Sequence, residues 1–363
     1  MKVLLFLIYG DQRVYHLELT YSILSAWQYL KDDPEDIRIV LAADEANQRP
    51  DLPVDALLLS PQMMADWSMR GTYHHAIKLH VMHHALQKYA APVAMIDSDT
   101  VFMGHPKHLF ERFGPERALM HACEGPLENS AEWPEWKALI QNCGGCVTGR
   151  PISSKTIMHN AGVYGLMPEH ASLMQTAVAI LEDLRKHGSV FTAEQLAGSV
   201  ALHDVLEIAE CRDLIEHYWH GPRAYFHYQM GQMFHGVREG GGVADMNMRL
   251  PTLQRHIPSR PAHQVGARLK RLQRRAPSEY EFAYRAYLGA RSTRLSDPEL
   301  ANVWALTALN MLTWGMPDGK LLLNTIETDF ALFSPARLHE QNWMTVPLQK
   351  RWAAFWVEAE KGL

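Results

Sequence analysis

The chain has 363 residues, of which 47% are hydrophobic and 21% charged, and it carries a formal net charge of −5. That length can bury a sizeable core and predicts one large domain plus a smaller one, with the balance of an ordinary globular protein. The negative charge argues against a nucleic-acid binder, and no apolar run approaches the ~18 residues that a membrane span requires.

The opening Met-Lys-Val-Leu-Leu-Phe-Leu-Ile-Tyr-Gly imitates a short signal peptide, but its apolar core is brief and no small-residue cleavage site follows. A buried strand over Val3 to Tyr9 fits better, and a cytoplasmic protein is the expectation. Leu17 to Leu30 has helical apolar spacing, Ile37 to Ala42 reads as a second strand ending near Asp44, and Ala56 to Leu59 reads as a third. Tyr73 to Tyr89 is a helix and Val93 to Ile96 a fourth strand. This alternation predicts a mainly parallel sheet with helices on its faces. In such sheets ligands sit beyond the carboxyl ends of the strands, where Tyr9, Asp44 and the acids of Asp97-Ser-Asp99 all fall.

Past Phe102 the alternation loosens. Ala118 to Cys123 is a strand candidate, and residues 124 to 155 read as a long irregular loop rich in Gly, Pro and Trp, of the kind that often binds an acceptor. Thr156 to Leu166 reads as a strand interrupted at Asn160-Ala161-Gly162. Glu169 to His187 is a helix; another begins at Thr192, placed as its cap. The character changes near residue 240. Gly240-Gly241-Gly242 is a flexible break, and Met246 to Ser278 holds eight Lys or Arg and no acid. The rest looks helical, with apolar spacing through Asn302 to Leu312 and Leu348 to Val357. The layout is therefore an α/β domain over residues 1–240 and a basic linker with a helical appendage over residues 241–363.

Asp97 and Asp99 leave the end of an apolar strand two positions apart, with side chains directed to the same side. Two nearby anions need a cation. A hard divalent ion such as Mg²⁺ or Mn²⁺ takes carboxylate oxygens together with substrate phosphates, so the pair points to a metal-diphosphate site, although the spacing alone also recurs in solvated turns.

The Lys78-containing helix followed by Ala94-Met-Ile-Asp-Ser-Asp-Thr-Val-Phe102, then His159-Asn-Ala-Gly-Val-Tyr-Gly-Leu166, Thr192-Ala-Glu-Gln195 and His217-Tyr-Trp-His-Gly221 together resemble nucleotide-sugar glycosyltransferases of the A-type fold. The resemblance is to the glycogenin and galactosyltransferase group; it spans roughly residues 1 to 230 in order, and it implies a GT-A-like α/β fold. It implies a metal-dependent enzyme of hexosyltransferase type that moves a sugar from a nucleoside-diphosphate donor, UDP-sugars favoured, to a hydroxyl of a glycan, lipid or protein acceptor. On that resemblance Asp99 is the more direct ligand of Mn²⁺ or Mg²⁺, and Asp97 also faces the ribose or sugar. A third ligand is a late histidine. His220 is preferred because it abuts Gly221, where bare backbone can approach phosphates; His217 is the alternative. The family's His-x-x-Gly spacing would place Tyr218 there instead.

The same resemblance implies that Asn160 and Gly162 form the turn beneath the transferred sugar, that Glu194 and Gln195 contact sugar hydroxyls or the reacting centre, and that Lys78 and Arg223 reach the phosphates. Tyr9 and Asp44 are candidates for nucleoside contacts. An inverting course needs a carboxylate base, Glu194 or Asp204, whereas the late histidine resembles the retaining group. A nucleotidyltransferase and a non-catalytic carbohydrate- or surface-binding protein on the same fold are the alternatives. His80 and His84 have the i,i+4 spacing of a metal pair but lack the glutamate of a zinc protease, so a polar helix face is expected. Cys143-Gly-Gly-Cys146 lacks a second pair, which predicts reduced thiols, and Met63, Met64 and Met69 are expected to pack locally. The basic stretch within residues 249–275 is expected as a solvated helix or inter-domain contact, with anionic lipid as a further partner.

Overall fold

A computed structural model describes residues 1–219, 223–234, 250–315 and 323–361. The chain divides into two compact units, Met1–Trp219 with Phe234–Pro251, and His220–Met233 with Thr252–Leu363.

The first unit is built on β1 (Lys2–Leu7), α1 (Arg13–Leu30), β2 (Ile37–Ala43), β3 (Asp55–Leu58), α2 (Pro61–Trp67), α3 (Ala76–Tyr89), β4 (Val93–Ile96) and β5 (Thr100–Phe102). It continues with α4 (Lys107–Phe110), β6 (Arg117–Pro126), α5 (Trp133–Asn142), β7 (Cys146–Val147), β8 (Arg150–Pro151), β9 (Ile157–Leu166), α6 (Ala171–His187), α7 (Ala193–His203), β10 (Glu207–Ala209) and β11 (Ile215–His217). Seven strands form one sheet in the order β10-β6-β9-β4-β1-β2-β3. Pairings β1/β2, β1/β4, β2/β3 and β6/β10 are parallel, and β9 runs antiparallel to both β4 and β6. The expected mainly parallel sheet with flanking helices is thus present.

Helix cover on both faces makes the central strands continuous apolar runs rather than alternating ones. Val3, Leu4, Leu5 and Phe6 have no exposed surface, nor do Val40, Leu41 and Ala42. One face packs Val3, Leu5, Val40 and Met95 against Ile77 and Val81 of α3, Met174 and Leu181 of α6 and Leu196 of α7. Met63, Met64 and Met69 pack at the edge of this core.

Two short features place the site. The ladder between β4 and β9 continues one step beyond β4, where Asp97 N–H donates to Gly162 O at 2.9 Å. Next, β5 pairs antiparallel with β11, with Thr100 opposite His217. Helix α1 fixes β5 from within the core: Ser22 Oγ lies 2.7 Å from Thr100 Oγ1, and Phe102 N–H donates to Ser25 Oγ at 3.0 Å.

Three sequence expectations need correction. Strand β9 is bulged rather than interrupted at Asn160–Gly162: it runs continuously over Ile157–Leu166, but Met120 of β6 pairs with Tyr164 and Ala122 with Asn160, so the extra residues of this register shift lie on β9, while a second shift between Cys123 and Gly125 lies on β6. Residues 124–155 are not plain loop, because they contain α5, which buries Trp136 and Leu139, and the β7/β8 hairpin. Thr192 occupies the N-cap position of α7 without a side-chain cap, since its hydroxyl donates to the Glu132 carboxylate instead.

The second unit holds α8 (Arg223–Met233), α9 (Pro261–Arg274), α10 (Ser278–Thr293), α11 (Pro298–Gly315), α12 (Leu323–Asp329) and α13 (Val346–Lys361), and α10 to α13 with the segment before α13 bury an aromatic core that includes Tyr280, Phe330, Phe333 and Trp352. The Asp329 carboxylate accepts from Lys270 Nζ at 2.8 Å, from Arg274 Nε and Nη2 at 2.9 and 2.8 Å, and from the Tyr280 hydroxyl. The Arg271 guanidinium meets Glu281 at 2.7 Å. Much of the basic character of α9 is therefore spent inside its own unit.

Candidate active site

The carboxyl ends of β1 and β4 converge on the middle of β9 and the start of α7. Asp97, Asp99 and His217 each offer one ligand atom within 4.8 Å of the others, which among the described residues is the only group of this kind. Asp99 is 8% exposed, and its Oδ1 lies 3.1 Å from His217 Nε2. The Asp97 Oδ2 accepts from Lys78 Nζ at 2.9 Å.

Lys78 ties three elements together. Besides Asp97, its ammonium donates to Ala161 O at 3.2 Å and lies 4.0 Å from Glu194 Oε2. Burial alone would favour the neutral amine, but Asp97 and Glu194 outweigh it and raise its pKa, so Lys78 is held as a cation. Glu194, 4% exposed, accepts from the Tyr164 hydroxyl at 3.1 Å. Its burial pushes its pKa up to about 7, with Lys78 pulling it down and Asp97 pushing it further up. Tyr9, at the end of β1, stacks on His74 at 6.0 Å, and burial raises its phenol to about 12.

The turn of β9 carries a second network. His217 Nδ1 lies 2.8 Å from Asn160 Oδ1, which also accepts from Gly162 N–H at 2.9 Å. Asn160 Nδ2 donates to Glu124 Oε1 at 2.9 Å, and Gln195 Nε2 donates to Glu124 Oε2 at 2.6 Å. Gln195 Oε1 in turn accepts from Ala161 N–H at 3.2 Å. Gly162 is required by space, because a Cβ there would come 2.4 Å from His217 Nδ1 and 3.0 Å from Asn160 Oδ1.

Of the sequence candidates, Tyr9, Lys78, Asp97, Asp99, Asn160, Gly162, Glu194, Gln195 and His217 thus gather in one region. Asp44 instead caps the turn Glu45–Asn47, with its Oδ1 accepting from Asn47 N–H at 3.0 Å. Arg223 opens α8 in the second unit. His220 and Gly221 lie outside the described residues. His80 lies flat on Trp67 at 5.5 Å and His84 tilts against the same ring, so these histidines pack on an aromatic side chain rather than simply lining a polar face. All four cysteines are free thiols. Sequence reasoning missed Glu124 and Tyr164. Glu124 carried one usable signal, a carboxylate just past the apolar run of β6, like Asp97 past β4.

No family model matches the chain. No curated protein matches it by sequence. Among solved structures, mouse xyloside xylosyltransferase 1 in its apo form is similar at 13% identity and TM-score 0.40, over 58% of this chain and 84% of that one. The galactosyltransferase LgtC in complex with donor and acceptor sugar analogs is similar at 14% identity and TM-score 0.40, over 70% and 85%. The apo bifunctional glycosyltransferase WbbM follows at 12% identity and TM-score 0.37, over 57% and 38%. At such TM-scores the case for function rests on the site itself.

Among the described residues no helix is long and apolar enough to cross a membrane.

Proposed function

We propose that the chain is a metal-dependent glycosyltransferase that moves a sugar from a nucleoside-diphosphate sugar to an acceptor hydroxyl. The observation that carries this reading is the convergence of Asp97, Asp99 and His217 at the carboxyl end of β4. Two carboxylates and one imidazole suit Mn²⁺ or Mg²⁺, which leave further positions for phosphate oxygens. A bound cation would supply positive charge opposite the diphosphate leaving group. Lys78 fixes the orientation of Asp97 and adds a buried positive charge to the site. Glu194, Gln195, Asn160 and Gly162 shape the floor next to the carboxylates, the place assigned to the transferred sugar, and Tyr9 is the candidate nucleoside contact.

A retaining course is favoured. Glu194 is buried and engaged by Tyr164, and Asp204 is bound to Arg150 at 2.5 Å, so each carboxylate suited to act as an inverting base is already committed. The connection from β1 to α1, Ile8–Gln12, has a single glycine, which argues against the Gly-rich phosphate loop of a nucleotidyltransferase. Peripheral contact with anionic lipid is the second part of the proposal. Helix α9 leaves Val265, Leu269 and Leu272 more than half exposed beside the exposed Arg268 and Arg275, an apolar and basic face suited to a bilayer surface. Mn²⁺-dependent release of nucleoside diphosphate from a panel of donors tests the catalytic reading.

A further inference from the structure

The hydrogen bonds behind the metal-binding triad have a fixed polarity, set by two backbone N–H groups. Backbone N–H can only donate. Ala161 N–H therefore requires oxygen at Gln195 Oε1, which turns Gln195 Nε2 towards Glu124 at 2.6 Å. Gly162 N–H requires oxygen at Asn160 Oδ1, which turns Asn160 Nδ2 towards the other Glu124 oxygen at 2.9 Å. Glu124 thus receives one amide N–H on each carboxylate oxygen, and its two bonds reinforce the orientation that the backbone demands.

The consequence falls on His217. Its Nδ1 sits 2.8 Å from Asn160 Oδ1, an atom with no hydrogen to give, so Nδ1 must carry the proton. In the neutral ring Nε2 then presents a lone pair 3.1 Å from Asp99 Oδ1. A lone pair facing a carboxylate at that distance is unfavourable unless a cation is shared between them, and this is the arrangement that a metal ligand needs.

We propose that Glu124 is a positioning residue for the metal centre: through Asn160 it holds His217 in the Nδ1–H tautomer and leaves Nε2 open for the cation. Asn160 accordingly serves the metal ligand as well as the floor of the site. The inference rests on the metal-site reading of Asp97, Asp99 and His217, but the proton it requires on Nδ1 is set by Asn160 and is measured in the metal-free protein, whatever Nε2 shares with Asp99 there.

The test uses the full-length chain in two measurements. Long-range ¹⁵N–¹H NMR of histidine-labelled, metal-free protein, with His217 assigned by its disappearance in His217→Gln, should show a proton on Nδ1. Glu124→Gln is nearly isosteric but offers one acceptor and one donor to two amide donors, so one amide must turn. It should admit the Nε2–H form and weaken Mn²⁺ binding by titration calorimetry about 10- to 100-fold. Asn160→Asp keeps an acceptor opposite Nδ1 and should keep the Nδ1–H form. Finding the Nε2–H form in the wild type would overturn the proposal, as would an unchanged tautomer and Mn²⁺ affinity in Glu124→Gln. If the wild type instead shows the Nδ1–H form but binds no Mn²⁺, the metal-site reading fails and the tautomer relay stands apart from it.

Discussion

Replacing Gly162 with alanine probes the site through geometry alone. The added Cβ would lie 2.4 Å from His217 Nδ1 and 2.7 Å from its Cε1, about 1 Å inside ordinary contact, which begins near 3.4 Å. The imidazole has little room to retreat. Its ring meets His121 edge to face at 5.3 Å, and His121 Nε2 is itself held at 3.0 Å from Ile215 O. A displacement near 1 Å far exceeds the ~0.2 Å latitude of a metal–ligand bond, so Mn²⁺ affinity should fall at least tenfold. Overpacking should also cost about 1–3 kcal/mol of stability. Gly165→Ala on the same strand separates the two effects, because its Cβ would strike Phe113 at 2.6 Å and Leu119 at 2.7 Å instead of a site residue. Both variants should melt earlier, and only Gly162→Ala should lose metal in a calorimetric titration. Equal Mn²⁺ affinity in Gly162→Ala and wild type would refute the placement of His217 as a ligand.

Glu194 makes a pH-dependent prediction. Its folded pKa of about 7 lies above the ordinary value of 4.5, so the folded state keeps a proton that the unfolded chain releases between those values. Its contribution to stability is therefore complete below the lower value and is lost as pH rises through the upper one. Urea unfolding at about pH 5 and about pH 8 should show a decline in wild type that is reduced in Glu194→Gln; identical slopes would refute the burial argument. Helix α9 should carry the chain onto vesicles of anionic lipid at low salt and release it at high salt, because attraction to a charged surface is screened. In a pelleting assay, Leu269→Glu with Leu272→Glu should abolish binding, and salt-insensitive pelleting would contradict an electrostatic component.

The central sheet was legible because strands covered on both faces must be apolar throughout, as Val3–Phe6 and Val93–Ile96 are. The acid pair was legible for the complementary reason: charged residues directly after such a run have to emerge at a strand end. The place of His217 was not. It is set by β5 and β11, strands of three residues each, too short for periodicity to reveal, whose register puts His217 beside Asp99. Helix α5 escaped notice because Pro134 sits in its first turn, a place where proline is tolerated but reads as a break. Glu124 offered only its place past the apolar run of β6, because its partners, Asn160 and Gln195, lie 36 and 71 positions away along the chain.

The most direct measurement of the central claim is nucleoside-diphosphate release from a panel of nucleotide sugars by wild type and Asp99→Ala, with Mn²⁺ and with a chelator. The account predicts Mn²⁺-dependent release from at least one donor by the wild type. It also predicts a loss of about 100-fold or more in Asp99→Ala, since several kcal/mol of charge stabilisation would disappear with the ligand. Equal release by both proteins for every donor, indifferent to the chelator, would contradict it.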